Sequence, residues 1–322
     1  MSGEVGRPPE VVTCGEAMVA LLAGNDVPLW SARQFEAVVA GAESNVAVGL
    51  ARLGHRAAYF GRVGADVFGE RIRRELRGEG VDVSRLVTDP ERPTGLLFRD
   101  SVVGSPITVH YSRAGSAATA MVPEDVPRDL IEAARVLHVT GITAALSDGA
   151  REATLAAMEI ARAADVLVTL DPNVRLRLAD PGRWHQLVDA LARRADVVLT
   201  GAEEAEIFAP GVDPVSWFGE RGVATVVLKH GAEGAAEHSL TPPGQQTRQP
   251  ARTVPLVDPV GAGDAFSAGW LSGWLRGLDA EQRLREACAV ASLVVATRGD
   301  STGLPTAALR DRVLAEGADV ER

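Results

Sequence analysis

The sequence is nearly without lysine: Lys229 stands alone among 33 basic residues, and arginine supplies the rest. That excludes a phosphate loop of the Gly-Lys-Ser/Thr type, because Lys229 is followed by His230. Cysteine is almost as scarce. Cys14 and Cys288 lie far apart and match no metal or redox spacing, which leaves them as small buried hydrophobes. There is no basic excess. A net charge of −10 argues against nucleic acid as the main partner, since binding a phosphate backbone needs a clustered basic surface. Long apolar runs are missing too. The longest stretches free of charge, 101–112 and 136–147, fall well short of the roughly 20 apolar residues of a spanning helix. Met1–Glu10 carries acidic residues and prolines rather than an apolar signal core, so a soluble, cytoplasmic protein without a membrane partner is expected. The six histidines show no paired metal spacing.

What is present is a large apolar fraction, 46 % of 322 residues, arranged with a clear rhythm. Short β-branched runs at Val11–Cys14, Ala57–Val63, Val136–Val139, Val166–Leu170, Val197–Thr200 and Thr225–Leu228 predict strands. Amphipathic stretches at Asn45–Leu53, Glu70–Glu79, Asp148–Ala163, Arg183–Ala192 and Pro214–Arg221 predict the helices between them. Continuous apolar strands alternating with helices specify a mainly parallel sheet covered on both faces, with ligands outside its carboxyl edge. Two regions break the rhythm. Glu16–Ala40 and Arg92–Ala118 alternate in the β manner, notably at Leu96–Arg99 and Ile107–Tyr111, and predict a small separate sheet suited to a lid. The division expected is a core of 1–15, 41–91 and 119–322 and a lid of 16–40 and 92–118. His238–Arg252, with Pro242-Pro243-Gly244, reads as a surface hairpin or loop.

The chemistry concentrates near the end of the chain, where helices are predicted over Asp264–Arg276 and Ala280–Thr297. Gly261-Ala262-Gly263-Asp264 leads the first of them. Glycines permit a tight turn whose amides point one way, and these add to the open donors and positive dipole of a helix start to make an anion site. An aspartate in that turn would lie beside a bound phosphate, ready to take a proton from an incoming hydroxyl. The same aspartate would serve equally as a helix N-cap.

The surrounding residues carry a resemblance. Asp258-Pro-Val-Gly-Ala-Gly-Asp-Ala-Phe-Ser-Ala-Gly269 closely resembles the C-terminal signature of the ribokinase-like (PfkB) carbohydrate kinases, with Pro259 where threonine is common. Gly41-Ala-Glu-Ser-Asn45-Val-Ala47, with Ala40 in place of a glycine, and Gly61-Arg-Val-Gly64-Ala-Asp66-Val-Phe-Gly69 resemble the family's N-terminal patterns. The likeness runs from about Val11 to Pro305. It implies a three-layer α/β/α sandwich with a small β-sheet lid, and ATP-dependent transfer of a phosphoryl group to a sugar. Asp264 is then the catalytic base, and the amides of Gly261, Ala262 and Gly263 form the anion hole. Thr200-Gly201-Ala202-Glu203-Glu204 resembles the N-x-x-E motif, which implies that Glu204 helps hold Mg2+ through water, with Gly201 where Asn is frequent. Lys229, Gly231 and Gly234 are implied to line the ATP cleft, and residues around Ala291 and Val295 to flank the adenine. A monovalent cation, K+, is implied beside Asp258.

Substrate contacts follow from the same likeness. Within the family, Tyr111–Ala117, His138–Ser147 and Asp171–Arg175 look most like 2-keto-3-deoxygluconate kinases, which implies that Gly41, Asn45, Tyr111, Arg113, Ile142 and Arg175 touch the substrate. Two guanidinium groups reaching one pocket suit a carboxylate. Leu97 stands where those kinases commonly carry a tyrosine. Fructokinases share the lid arginine and the Asp-Pro-Asn-x-Arg segment, so a neutral sugar is the alternative, and a sugar-binding regulator without activity is a third reading. The exposed edges of a lid sheet favour a homodimer or higher homo-oligomer.

Overall fold

The protein is described by a computed structural model over residues 7–24, 27–100, 108–241 and 243–315. The chain opens with β1 (Val11–Gly15), then leaves the main sheet for β2 (Met18–Ala23) and β3 (Phe35–Ala40). It returns through α1 (Ala42–Arg52), β4 (Ala57–Gly64), α2 (Val67–Gly78) and β5 (Leu86–Asp89). A second excursion holds β6 (Leu96–Arg99) and β7 (Val109–Ser112). There follow α3 (Arg128–Glu132), β8 (Val136–Thr140), α4 (Gly141–Leu146), α5 (Asp148–Ala163), β9 (Leu167–Asp171), α6 (Pro181–Ala192) and β10 (Val197–Gly201). After α7 (Ala202–Phe208), α8 (Pro214–Gly219) and β11 (Thr225–Lys229) come the hairpin β12 (Ala235–Leu240) and β13 (Pro243–Gln249), then α9 (Ala262–Leu275), α10 (Ala280–Val295) and α11 (Ala307–Ala315).

Among the described residues nine strands make one sheet in the order β13-β12-β11-β10-β9-β8-β1-β4-β5, parallel except at the β12–β13 edge. The apolar runs are continuous because successive side chains enter different cores. Val11, Val136, Val197 and Val227 face a cluster built with α1, α2, α9 and α10, whereas Val12, Leu137, Val198 and Val226 face one built with α5, α6, α7 and α8. The result is a three-layer α/β/α sandwich. The ladders run one residue further than the apolar runs, to Gly15, Thr140, Asp171, Gly201 and Lys229. Backbone pairing continues past the point where burial on both faces ends, and these extra residues stand at the carboxyl edge. Sequence reasoning missed β5, a short strand pairing parallel with β4.

Among the described residues the second sheet has four strands in the order β3-β2-β6-β7. Met18, Ala20, Leu22, Ala40 and Leu97 share a core on one of its faces, while Val19 and Val39 join the main cluster. Of the run expected at Ile107–Tyr111, Ile107 lies outside the described residues. His238–Arg252, expected as a surface hairpin or loop, is the hairpin: it supplies most of β12–β13, which extends the edge of the main sheet through β11. Trp270 of α9 fixes that edge by donating to Glu237 (2.9 Å).

Candidate active site

The carboxyl ends of the parallel strands and the small sheet enclose a cavity of about 690 Å³. Its lining includes Asp264, Gly261 and Gly263, then Gly41, Asn45, Tyr111, Arg113, Ile142 and Arg175, then Glu204, Lys229 and Gly231. Residues from the whole length of the chain therefore converge on one space. Leu97 lines it too, paired across the small sheet with Tyr111.

Asp264 sits in the first turn of α9, which begins two residues earlier than the sequence predicts. The N-cap is Gly261, in the left-handed region at φ +80°, and a Cβ there would meet the Asp300 carbonyl at 2.1 Å. Asp264 is thus no cap. Its carboxylate instead accepts from Asn45 Nδ2 (2.8 Å) and Asn173 Nδ2 (3.5 Å). Burial pushes its pKa up to about 7; Asp171 adds to the rise, and the Asn45 hydrogen bond, Arg175 and Lys229 oppose it. The amides of Gly261 and Gly263 have no partner among the described residues, but that of Ala262 turns back to the Pro259 carbonyl (3.3 Å). The Ala262 amide is therefore already engaged, unlike those of Gly261 and Gly263.

Lys229 reaches this turn. Its ammonium donates to Asp171 Oδ2 (2.7 Å) and lies 3.6 Å from where a Gly263 Cβ would be. Burial works against its charge, yet Asp171 and Glu204 outweigh that and raise its pKa. Gly231 faces the cavity, whereas Gly234 does not: at φ +103° it brings the Gln249 carbonyl within 2.0 Å of a missing Cβ, so it shapes the hairpin. Ala291 packs against the apolar core beneath.

Glu204 faces the cavity from the start of α7, with both oxygens engaged. One accepts from the Val174 amide, the other from Thr200 Oγ1 (2.9 Å) and the Gly201 amide (3.2 Å). Burial, aided by Asp171, raises its pKa. Among the described residues no group of three acidic, histidine or cysteine side chains could hold a metal by itself.

The two arginines differ. Arg113 is ion-paired with buried Glu16, which also accepts from Ser116 Oγ (2.5 Å), and its guanidinium lies over the Tyr111 ring at 5.2 Å. Arg175 donates to the Val174 carbonyl (2.9 Å) and has no carboxylate partner among the described residues. The expected pair of guanidinium groups is thus one ion-paired with a carboxylate and one hydrogen-bonded only to a backbone carbonyl, with Asp264 within electrostatic reach. Asp258 is buried and holds Arg99 Nη2 at 2.5 Å.

Sequence reasoning assigned no role to Asp171, Asn173, Glu16 or Glu43. Asp171 was findable as the polar residue closing an apolar strand run. Asn173, at φ +46°, marks a strained turn aimed at Asp264. Glu43 is wholly buried under the Thr140 (2.6 Å) and Thr143 (2.5 Å) hydroxyls, and burial raises its pKa. Placed between Ala42 and Ser44 in α1, it gave no signal in the sequence.

Comparison with known proteins gives a consistent set. Residues 9–307 match the model of the pfkB family carbohydrate kinases. The chain is 38 % identical over 302 residues to a 2-dehydro-3-deoxygluconokinase of Bacillus subtilis (strain 168), covering 92 % of this chain and 93 % of that protein. It is also 38 % identical over 310 residues to a 2-dehydro-3-deoxygluconokinase of Thermoproteus tenax, covering 92 % and 91 %. A crystal structure of a PfkB protein from Polaromonas sp. JS666 superposes with a TM-score of 0.85 at 35 % identity, covering 94 % of this chain and 99 % of that one.

Proposed function

The chain belongs to the pfkB family of carbohydrate kinases, and from that premise we propose that Asp264 deprotonates the terminal hydroxyl of a bound 2-keto-3-deoxygluconate as that hydroxyl takes the γ-phosphate of ATP. The protein is an ATP-dependent 2-keto-3-deoxygluconate kinase, and its product is 2-keto-3-deoxy-6-phosphogluconate. The observation that carries the catalytic assignment is a buried carboxyl, raised to about 7, in the same helical turn as the open Gly261 and Gly263 amides.

The mechanism is positioning with electrostatics. Asn45 and Asn173 orient the Asp264 carboxylate. As the sugar oxygen bonds to the γ-phosphorus and the bond to the β-phosphate oxygen breaks, the hydroxyl proton passes to Asp264 and ADP leaves. The Gly261 and Gly263 amides, the α9 dipole and the Lys229 ammonium meet the charge on the group in transfer. When bound, Mg2+ would supply further charge neutralisation at the phosphates. Glu204, through water, and the nearby Asp171 fit it, because Mg2+ is held by one or two carboxylates with substrate phosphates and water, and a cation would relieve the strain of two buried acids. Arg175, which has no carboxylate ion pair among the described residues, takes the sugar carboxylate, and beside it stands Arg113, held by Glu16 and lying over the Tyr111 ring. Gly41 and Ile142 complete the sugar wall, and Gly231 the nucleotide side. The segments 16–40 and 92–118, which carry the four strands of the small sheet, act as the lid, and its edges at β3 and β7, unpaired among the described residues, suit a homodimer.

An ADP-release assay over a panel of sugars tests the substrate. A keto-deoxy acid should exceed fructose and ribose in kcat/KM by orders of magnitude. Equal turnover of the neutral sugars would refute the acid-sugar assignment.

A further inference from the structure

The short loops on either side of the phosphate-holding turn each bring a carboxylate into the interior. Asp258, three residues before Gly261, is 3 % exposed, and Asp300 is 8 % exposed. Two buried acids so close to an anion site need a positive charge, because an unpaired buried charge is strongly destabilising. That charge comes from the other sheet. Arg99, at the end of β6 and 3 % exposed, places Nη2 at 2.5 Å from Asp258 Oδ2 and Nη1 at 3.2 Å from Asp300 Oδ1. The remaining capacity of Asp258 is spent on the backbone, its oxygens accepting from the amides of Val260 (3.1 Å) and Gly299 (3.0 Å).

The triad bears directly on the turn. The Asp300 carbonyl occupies the space where a Cβ on Gly261 would fall, at 2.1 Å. Joining Asp258 to Asp300 therefore clamps the loop before Gly261 onto the loop that covers it. Leu97, two residues before Arg99 and so on the same face of β6, lines the sugar cavity. One lid strand thus touches the substrate space and holds the phosphate turn.

The monovalent cation implied at Asp258 by family resemblance does not fit these residues. A guanidinium and a metal ion cannot share one carboxylate face, and the guanidinium is there. We propose that Arg99 supplies, from the lid, the fixed positive charge that a bound monovalent cation would supply beside the phosphate turn, so that the enzyme works without K+. Arg99 is a positioning residue: it acts on the Gly261 and Gly263 amides through Asp258 and Asp300 and does not touch the reacting atoms.

The kinetic arm of the test rests on the kinase reading; the melting arm does not. Wild type and Arg99→Ala are freed of K+ in choline chloride, then assayed and melted with and without added K+ or guanidinium. Wild-type rate and melting temperature should not respond to K+. Arg99→Ala should lose about 10²-fold in kcat, the scale of a small misplacement of catalytic groups, and both its rate and its melting temperature should rise with K+ or guanidinium but not choline. Should Arg99→Ala fail to fold, Arg99→Gln carries the same comparison. A wild type stimulated or stabilised several-fold by K+ overturns the proposal. So does a folded variant with unchanged kcat, or one impaired yet blind to both cations. If no sugar acid is turned over at all, the melting response still decides.

Discussion

Replacing Asp264 by asparagine separates what the carboxylate does for the reaction from what it costs the fold. The amide keeps the shape and removes the proton acceptor. Loss of a positioned general base lowers turnover by roughly 10²–10⁴-fold, equivalent to about 3–5 kcal/mol of transition-state stabilisation. Stability should move the other way. The Asp264 pKa rises on folding from its ordinary 3.8 to about 7, so the folded state holds a proton the unfolded chain has released. Native stability is therefore fully retained below pH 3.8 and eroded as pH rises towards 7. At 1.36 kcal/mol per pH unit, the penalty above pH 7 approaches ~4 kcal/mol, and near pH 5 it is under half of that. Asp264→Asn escapes it, less whatever is lost where its new NH2 meets Asn45. The variant should melt several degrees higher than wild type at pH 8, with a gain well under half as large at pH 5, by calorimetry in both buffers. Turnover within tenfold of wild type would refute the base. A variant less stable than wild type at pH 8 would refute burial as the origin of the raised pKa.

Three further outcomes follow. The wild-type kcat/KM for the sugar should fall about tenfold per pH unit below about 7 and level off above it, since the base of the free enzyme works only when ionised; a flat profile from acid to neutral pH would contradict the assignment. Arg175→Ala should raise KM for the sugar acid roughly 10- to 100-fold, the worth of a charge-assisted hydrogen bond, while KM for ATP stays nearly constant; equal effects on both would place Arg175 elsewhere. Gly261→Ala forces a side chain onto the Asp300 carbonyl at a positive φ, and displacing an anion-hole donor should cost about 10²-fold in kcat; an unaffected kcat would show that the turn does not hold the phosphate.

Much of the fold was legible because parallel strands covered on both faces must be apolar throughout. Val197–Leu199 sends neighbouring side chains into two different cores, and that demand is written in the sequence as an unbroken run. The predicted strands stopped one residue short for the same reason: hydrophobicity records burial, whereas the ladder ends where pairing ends. Among the residues left over, Asp171, Gly201 and Lys229 line the site, and Asp171 and Lys229 pair there. The start of α9 shifted because a glycine in the left-handed region caps the helix, and no side-chain pattern marks that.

The chain by itself determined the layered α/β/α order and the glycine-led turn with its acid, since both depend on neighbours in sequence: periodicity of burial and local backbone freedom. Only the tertiary structure decided which charge meets which. Arg113 is spent on Glu16, and Arg99 closes on Asp258 and Asp300; Asn45 finds Asp264 across the whole molecule. These pairings join residues far apart along the chain, and Coulomb attraction in a low-dielectric interior depends on distance in space, which linear spacing does not contain.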